Sequence, residues 1–220
     1  SGLFQEAKNK GLYDAFNDYL EQYSNIDRHN QGKGSQTPLD VSQKLVQDYE
    51  KIYPEFKKMA EDVWKYSSNI RDNMVESGLI TQEFSDTLAE MYPHYVPFME
   101  NREMTNTYQD IGKVKPKGVI KYAKGGAKNL LPVEEALTKY TYASKKAIRQ
   151  NQLYQQIVNT LNDKVEIGAD VRSDPTELNE SLYRDEKGNY LTAYVNGKQE
   201  SVRISDDLYR GLKNDMESRI

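Results

Sequence analysis

The residues able to move protons or hold a metal are few and poorly grouped. The chain has two histidines, His29 and His94, and neither has a second histidine at ligand spacing. Asp27 and His29 stand two apart in a polar stretch, which suits neither a rigid metal site nor a catalytic pair. There is no cysteine, so disulfide scaffolds and thiolate zinc sites are excluded. No Gly-x-Ser-x-Gly occurs either, and nucleophilic catalysis is left without support. Aspartate and glutamate number 34, mostly on predicted helix faces opposite the apolar stripe. Glu134/Glu135 and Asp206/Asp207 fall at cap and first-turn positions, and a hydrolytic dyad would need a cleft that no stretch marks. The expectation is no catalytic residue, no metal site and no cofactor, with His94 half-buried and structural.

One segment breaks the charge pattern. Residues 113–128 (KVKPKGVIKYAKGGAK) hold six lysines and no acid, although the whole chain is formally −4. That total is too mild to imply a polyanionic or polycationic partner by itself. The spacing is not that of a Walker A loop. Lys113, Lys115, Lys117, Lys121, Lys124 and Lys128, helped by Lys145, Lys146 and Arg149 on the following helix, suit phosphate contact that is salt-sensitive and sequence-blind. The competing reading is that the segment wraps an acidic helical body and balances it.

The elements that would position these residues are mainly helical. At 220 residues, 37% hydrophobic and a mean hydropathy of −0.88, the chain can bury a core beneath a large wetted surface. Apolar residues recur at helical spacing over 3–23, 40–76, 82–91 and 132–162. Gly11 weakens the first helix without breaking its phase, and Ser24–Gln36 is a polar loop. Thr37 or Asp40 caps the next helix, whose inward face is Val41, Leu45, Tyr49, Ile52 and Tyr53; Pro54 kinks or restarts it. Gly78 is placed to end the following stretch in the left-handed conformation. The last long helix carries a seam of Val133, Leu137, Tyr140, Ser144, Ala147, Asn151, Tyr154, Val158 and Leu161. Its polar members argue against a free-standing coiled coil and for packing against the first two helices.

Between helices lies Tyr92-Pro93-His94-Tyr95-Val96-Pro97-Phe98. Two prolines four apart fix their own φ and push Tyr92 and Val96 toward extended geometry, giving a stiff strap over 92–98. Residues 100–131 have no period and read as an extended, surface-hugging connector. After Asn162 the pattern turns to β, with strands at 181–184, 190–195 and 199–204, and Asn196-Gly197 as a type I′ hairpin turn. The expected fold is therefore mainly α: an elongated bundle of long helices over 1–162, and a small α+β appendix over 163–220 with a hairpin at 190–204. Seventeen tyrosines suit helix seams that are apolar on one side and wet on the other, in preference to base stacking. No apolar run approaches the ~20 residues of a membrane span. The start at Ser1-Gly2 and the end at Ile220 suggest a piece of something longer.

The strap carries a resemblance. Met91 to Phe98 is similar to the YPxYVP hallmark of the large-polyvalent-protein-associated domain found in phages and integrative or conjugative elements. Matching pieces stand in order: Gly11 to Leu20 with Asn25-Ile26-Asp27-Arg28, Tyr53-Pro54-Glu55-Phe56, and Ser77-Gly78-Leu79-Ile80-Thr81. After the strap come Lys117 to Lys121 with Gly125-Gly126, Leu131-Pro132, Val195-Asn196-Gly197-Lys198, and Asp207-Leu208-Tyr209. The chain departs from the pattern at Ser24, where such domains carry a histidine, and meets a later arginine only loosely at Arg102. The resemblance implies a non-enzymatic structural and interaction module of a large multi-domain mobile-element protein. It implies flanking domains as partners and a place in the bacterial cytoplasm or with delivered element DNA. Nucleic-acid binding is the alternative.

Overall fold

A computed structural model describes residues 2–33, 37–97, 131–165 and 181–218. Seven α-helices and a four-stranded sheet make up the described chain: α1 (Gln5–Asn9), α2 (Tyr13–Asn30), α3 (Leu39–Ile52), α4 (Glu55–Glu76), α5 (Gln82–Met91), α6 (Val133–Thr160), β1 (Lys164–Val165), β2 (Leu182–Asp185), β3 (Gly188–Val195), β4 (Lys198–Ile204) and α7 (Asp206–Ser218). The fold is mostly helical, as expected, with a small antiparallel sheet and a closing helix. Phe98 and the connector 100–130 lie outside the described residues.

The chain divides into two compact units, and the division falls within α4, at the first residue of α5 and within α6. In the first, aromatic residues of three helices make the core. Phe16 of α2 meets Phe4 at 5.7 Å and Phe56 of α4 at 5.2 Å, and Tyr19 lies 5.5 Å from Phe56. The start of α6 joins this core: Val133, Ala136, Leu137 and Tyr140 are buried, and Asn17 Oδ1 accepts the Val133 backbone N–H at 2.8 Å. That side chain of another helix satisfies one of the orphan donors of the α6 first turn.

Four expectations here are corrected. The helix over 3–23 is broken, because Gly11 takes φ +67° and Leu12 becomes the N-cap of α2. The polar stretch after Tyr23 is not a loop; α2 continues to Asn30 and buries Ser24, Asn25 and Asp27. On α3 the inward face is turned by about one residue, with Ser42 and Val46 buried while Val41 and Ile52 are 42% and 64% exposed. Polar contacts set that rotation. Ser42 Oγ donates to Gln22 Oε1 at 2.8 Å, Tyr49 Oη to Asp18 at 2.6 Å, and Glu50 accepts from Tyr19 and Tyr23. Neither Thr37 nor Asp40 caps α3; Pro38 stands at the N-cap with no side-chain bond. Pro54 separates α3 from α4, as its missing N–H requires.

In the second unit the strand order is β1-β4-β3-β2, all antiparallel. The three expected strands are there, and β1 adds a fourth beside β4. Asn196 (φ 49°) and Gly197 (φ 72°) make the tight turn between β3 and β4, the pair of positive φ values that a type I′ hairpin needs. The turn's Gly197 N–H donates to Gly78 O at 2.9 Å. Gly78 itself ends α4 at φ +77°, with Leu79 N–H reaching back to Met74 O. A Cβ on Gly197 would come within 2.6 Å of Thr81 Cγ2, so this close approach admits only glycine.

The later half of the α6 seam belongs to this unit, where it meets β3. Asn151, fully buried, accepts the Tyr194 backbone N–H at 2.8 Å and donates to its carbonyl at 2.9 Å. On that side β2 pairs with β3 only as far as Leu191, and Thr192 N–H turns to Ser181 O. The Asn151 amide stands in for the missing strand and satisfies both backbone groups of Tyr194.

Candidate functional site

In the first unit the strap is held by a residue that sequence spacing did not single out as its partner. Asp27, on the last turn of α2, is 3% exposed. Its Oδ2 accepts the backbone N–H of His94 at 2.8 Å, and its Oδ1 lies 2.9 Å from His94 Nδ1. The half-buried imidazole lies against Tyr23 and Trp64, each 4.5 Å away centroid to centroid and 5.0 Å from one another. Tyr23 in turn donates its hydroxyl to Glu50 at 2.7 Å. The rest of the strap is seated likewise. Tyr92 is buried and its hydroxyl accepts from Lys33 Nζ at 2.8 Å. Val96 is 1% exposed, and Tyr95 meets Tyr140 edge-on at 6.0 Å. Pro93 is exposed and Pro97 is buried. One carboxylate thus grips the middle of the strap twice, by main chain and by side chain.

The tyrosines beneath are shifted by this packing. Burial, then the hydrogen bond to Glu50, pushes Tyr23 up to about 12 and Tyr19 higher still. Burial and the bond to Asp18 raise Tyr49 as well. A shallow hollow of about 240 Å³ opens beside Tyr13, Pro132 and the α2 carboxylates Asp14, Asp18 and Glu21. Burial, and the neighbouring Asp18, raise the Glu21 carboxyl above its usual range. Asp18 is engaged by Tyr49 and Gln22, so this acidic group is tied into helix packing.

In the second unit the structure brings together three of the basic residues picked out by sequence. Lys145, Lys146 and Arg149 of α6 line a groove of about 490 Å³ with Tyr142, Leu153 and, from α7, Met216. Tyr142 is 61% exposed and Leu153 43%. Spacings of three, four, seven and eleven from Tyr142 place all of them along one helix face. The groove floor is tied by Tyr154, whose hydroxyl sits 3.2 Å from Met216 Sδ. Asp215 stands on the α7 wall. Lys145 and Arg149 are exposed and make no ion pair among the described residues. Lys113, Lys115, Lys117, Lys121, Lys124 and Lys128 lie outside the described residues.

Among the described residues no group of three or more His, Asp or Glu could hold a metal ion, and no helix is long and apolar enough to cross a membrane. Compared with protein-family models, curated proteins and solved structures, the chain matches none. Sequence reasoning missed Asp27, Tyr23 and Trp64 as one site with His94. The only signal available was Asp27 itself, an acid at helical phase with Tyr23.

Proposed function

We propose that the chain is a non-enzymatic structural and interaction module, working within a larger multi-domain protein of the mobile-element type that its strap resembles. One observation carries this reading. The imidazole best suited to acid–base chemistry is half-buried, bonded at Nδ1 to a buried carboxylate and lying against the rings of Tyr23 and Trp64. A carboxylate behind a histidine can also orient a general base, but that chemistry needs a reacting group within ~2.6–3.2 Å of the ring. The ring keeps 28% of its surface in solvent, so the activity arm of the His94→Ala test is what separates the two roles. Helical surfaces held in shape by the strap would then space and dock neighbouring domains.

The test is His94→Ala in the full chain. Losing the ring leaves Asp27 buried with one of its two bonds gone, worth roughly 1–3 kcal/mol. For a chain of this size that lowers Tm by roughly 2–12 °C. A melt identical to the parent, or a hydrolytic activity on chromogenic esters or phosphates that His94→Ala abolishes while the fold persists, contradicts the proposal.

A second reading, sequence-blind nucleic-acid binding, is favoured by the convergence of Lys145, Lys146 and Arg149 on one groove. Mobility shifts titrated against salt test it. Binding that weakens steeply toward physiological salt supports it, and no shift at low salt removes it.

A further inference from the structure

We infer that the groove between α6 and α7 is a single-strand nucleic-acid site, in which Tyr142 stacks a base and Lys145 and Arg149 take the neighbouring phosphates. The inference rests on the second reading above and narrows it to one strand form and one place. Its first support is shape: a concave space of about 490 Å³ admits an unstacked nucleotide, whereas a duplex keeps its bases paired inside and offers only its backbone. Its second is composition. A tyrosine with 61% of its surface in solvent is a large apolar area left uncovered, and cations follow it at three, four and seven residues along the helix. An aromatic platform flanked by positive charge is how single strands are held without regard to sequence.

The apolar remainder fits the same occupant. Leu153 and Met216 give a sugar or base edge a dry surface beyond the stacking ring. The carboxylate of Asp215 stands on the α7 wall, where it repels phosphate and confines the backbone to the α6 side.

The experiment is fluorescence anisotropy on the full 220-residue chain with a labelled oligothymidylate of about twenty residues, longer than the ~4–16 nucleotides such sites cover. It is run at low salt beside a duplex of equal length, with inorganic polyphosphate and polyglutamate as competitors. The single strand is expected to bind more tightly than the duplex. Tyr142→Ala is expected to weaken it about tenfold while Tyr142→Phe keeps it, since the ring and not the hydroxyl stacks. Arg149→Glu, also at an exposed position, is expected to weaken binding and flatten the salt dependence. Circular dichroism melts equal to the parent keep all three variants interpretable.

Single strand and duplex bound equally, or Tyr142→Ala indistinguishable from the parent, overturn the inference while leaving nucleic-acid binding in place. Polyglutamate displacing the strand as well as polyphosphate does, with Tyr142→Ala weakening polyglutamate equally, makes the groove an acidic-peptide site and overturns it too. No binding to any nucleic acid overturns both this inference and the reading beneath it.

Discussion

The two units use the same residue type in opposite ways. Around the strap, Tyr19, Tyr23 and Tyr49 are packed ring to ring, and each hydroxyl is spent on a carboxylate. At the α6–α7 groove, Tyr142 lies mostly in solvent beside lysine and arginine. Tyr19 is buried and Tyr23 and Tyr49 are half-buried, so these rings, with their hydroxyls bonded, have less surface to offer a partner. The same ring uncovered and flanked by cations has little to hold in place and much to bind. On the proposed reading, shape-keeping and recognition fall to different units, and the difference lies in what covers each ring and what sign of charge stands next to it.

The sharpest way to break this comparison is inside the second unit, away from the groove wall. Asn151→Ala strips a fully buried side chain from both backbone groups of Tyr194; Gln155 Nε2 still donates to the carbonyl, but the buried N–H is left unmet, at a cost of about 1–3 kcal/mol. Urea unfolding followed by circular dichroism is expected to show that loss. A midpoint shift no larger than that of an exposed substitution would mean the sheet edge does not depend on the amide.

A smaller effect sharpens the other side. Tyr23 is pushed up to about 12 by burial and its bond to Glu50, and Tyr19 and Tyr49 are raised too. An unfolded tyrosine ionises near 10. These tyrosines contribute stability that is whole below about pH 10 and is lost as pH rises through the folded values, because the unfolded chain gives up its protons first. Absorbance titration near 295 nm is expected to show a late-ionising set that appears together with loss of helical signal. All tyrosines titrating near pH 10 with the fold intact would remove the packed cluster from the account.

Much of the architecture was legible because helix burial follows a period. On α4, Phe56, Met59, Ala60, Val63, Ser67, Ile70 and Met74 recur at three- and four-residue spacing and are buried, as are eight of the nine α6 seam residues, and Asn196-Gly197 announced its turn. What the period could not show is which polar residues go inside. Asp27 and Ser24 read as loop because burial of polar groups is normally costly; here hydrogen bonds such as Asp27's pair to His94 offset it. That partner is 67 residues away, a separation no local pattern encodes. The α3 face was misjudged for a related reason: bonds from Ser42, Tyr49 and Glu50 outweighed the exposure of Val41 and Ile52. Asn151 was visible as an odd polar member of a seam, but its strand partner was not. In the candidate groove, Lys145, Lys146 and Arg149 were legible as charge on one helix, while Tyr142, Leu153 and Met216 required α7 to be placed beside them.

The most direct measurement is hydrogen–deuterium exchange across residues 92–97. If the strap is a clamp, the His94 amide, donating to a buried carboxylate at 2.8 Å, exchanges only on the slow timescale of unfolding of its unit, and Asp27→Ala releases it. An amide at position 94 that exchanges as fast as an open loop in the unaltered protein would contradict the claim that this segment holds the helices in shape.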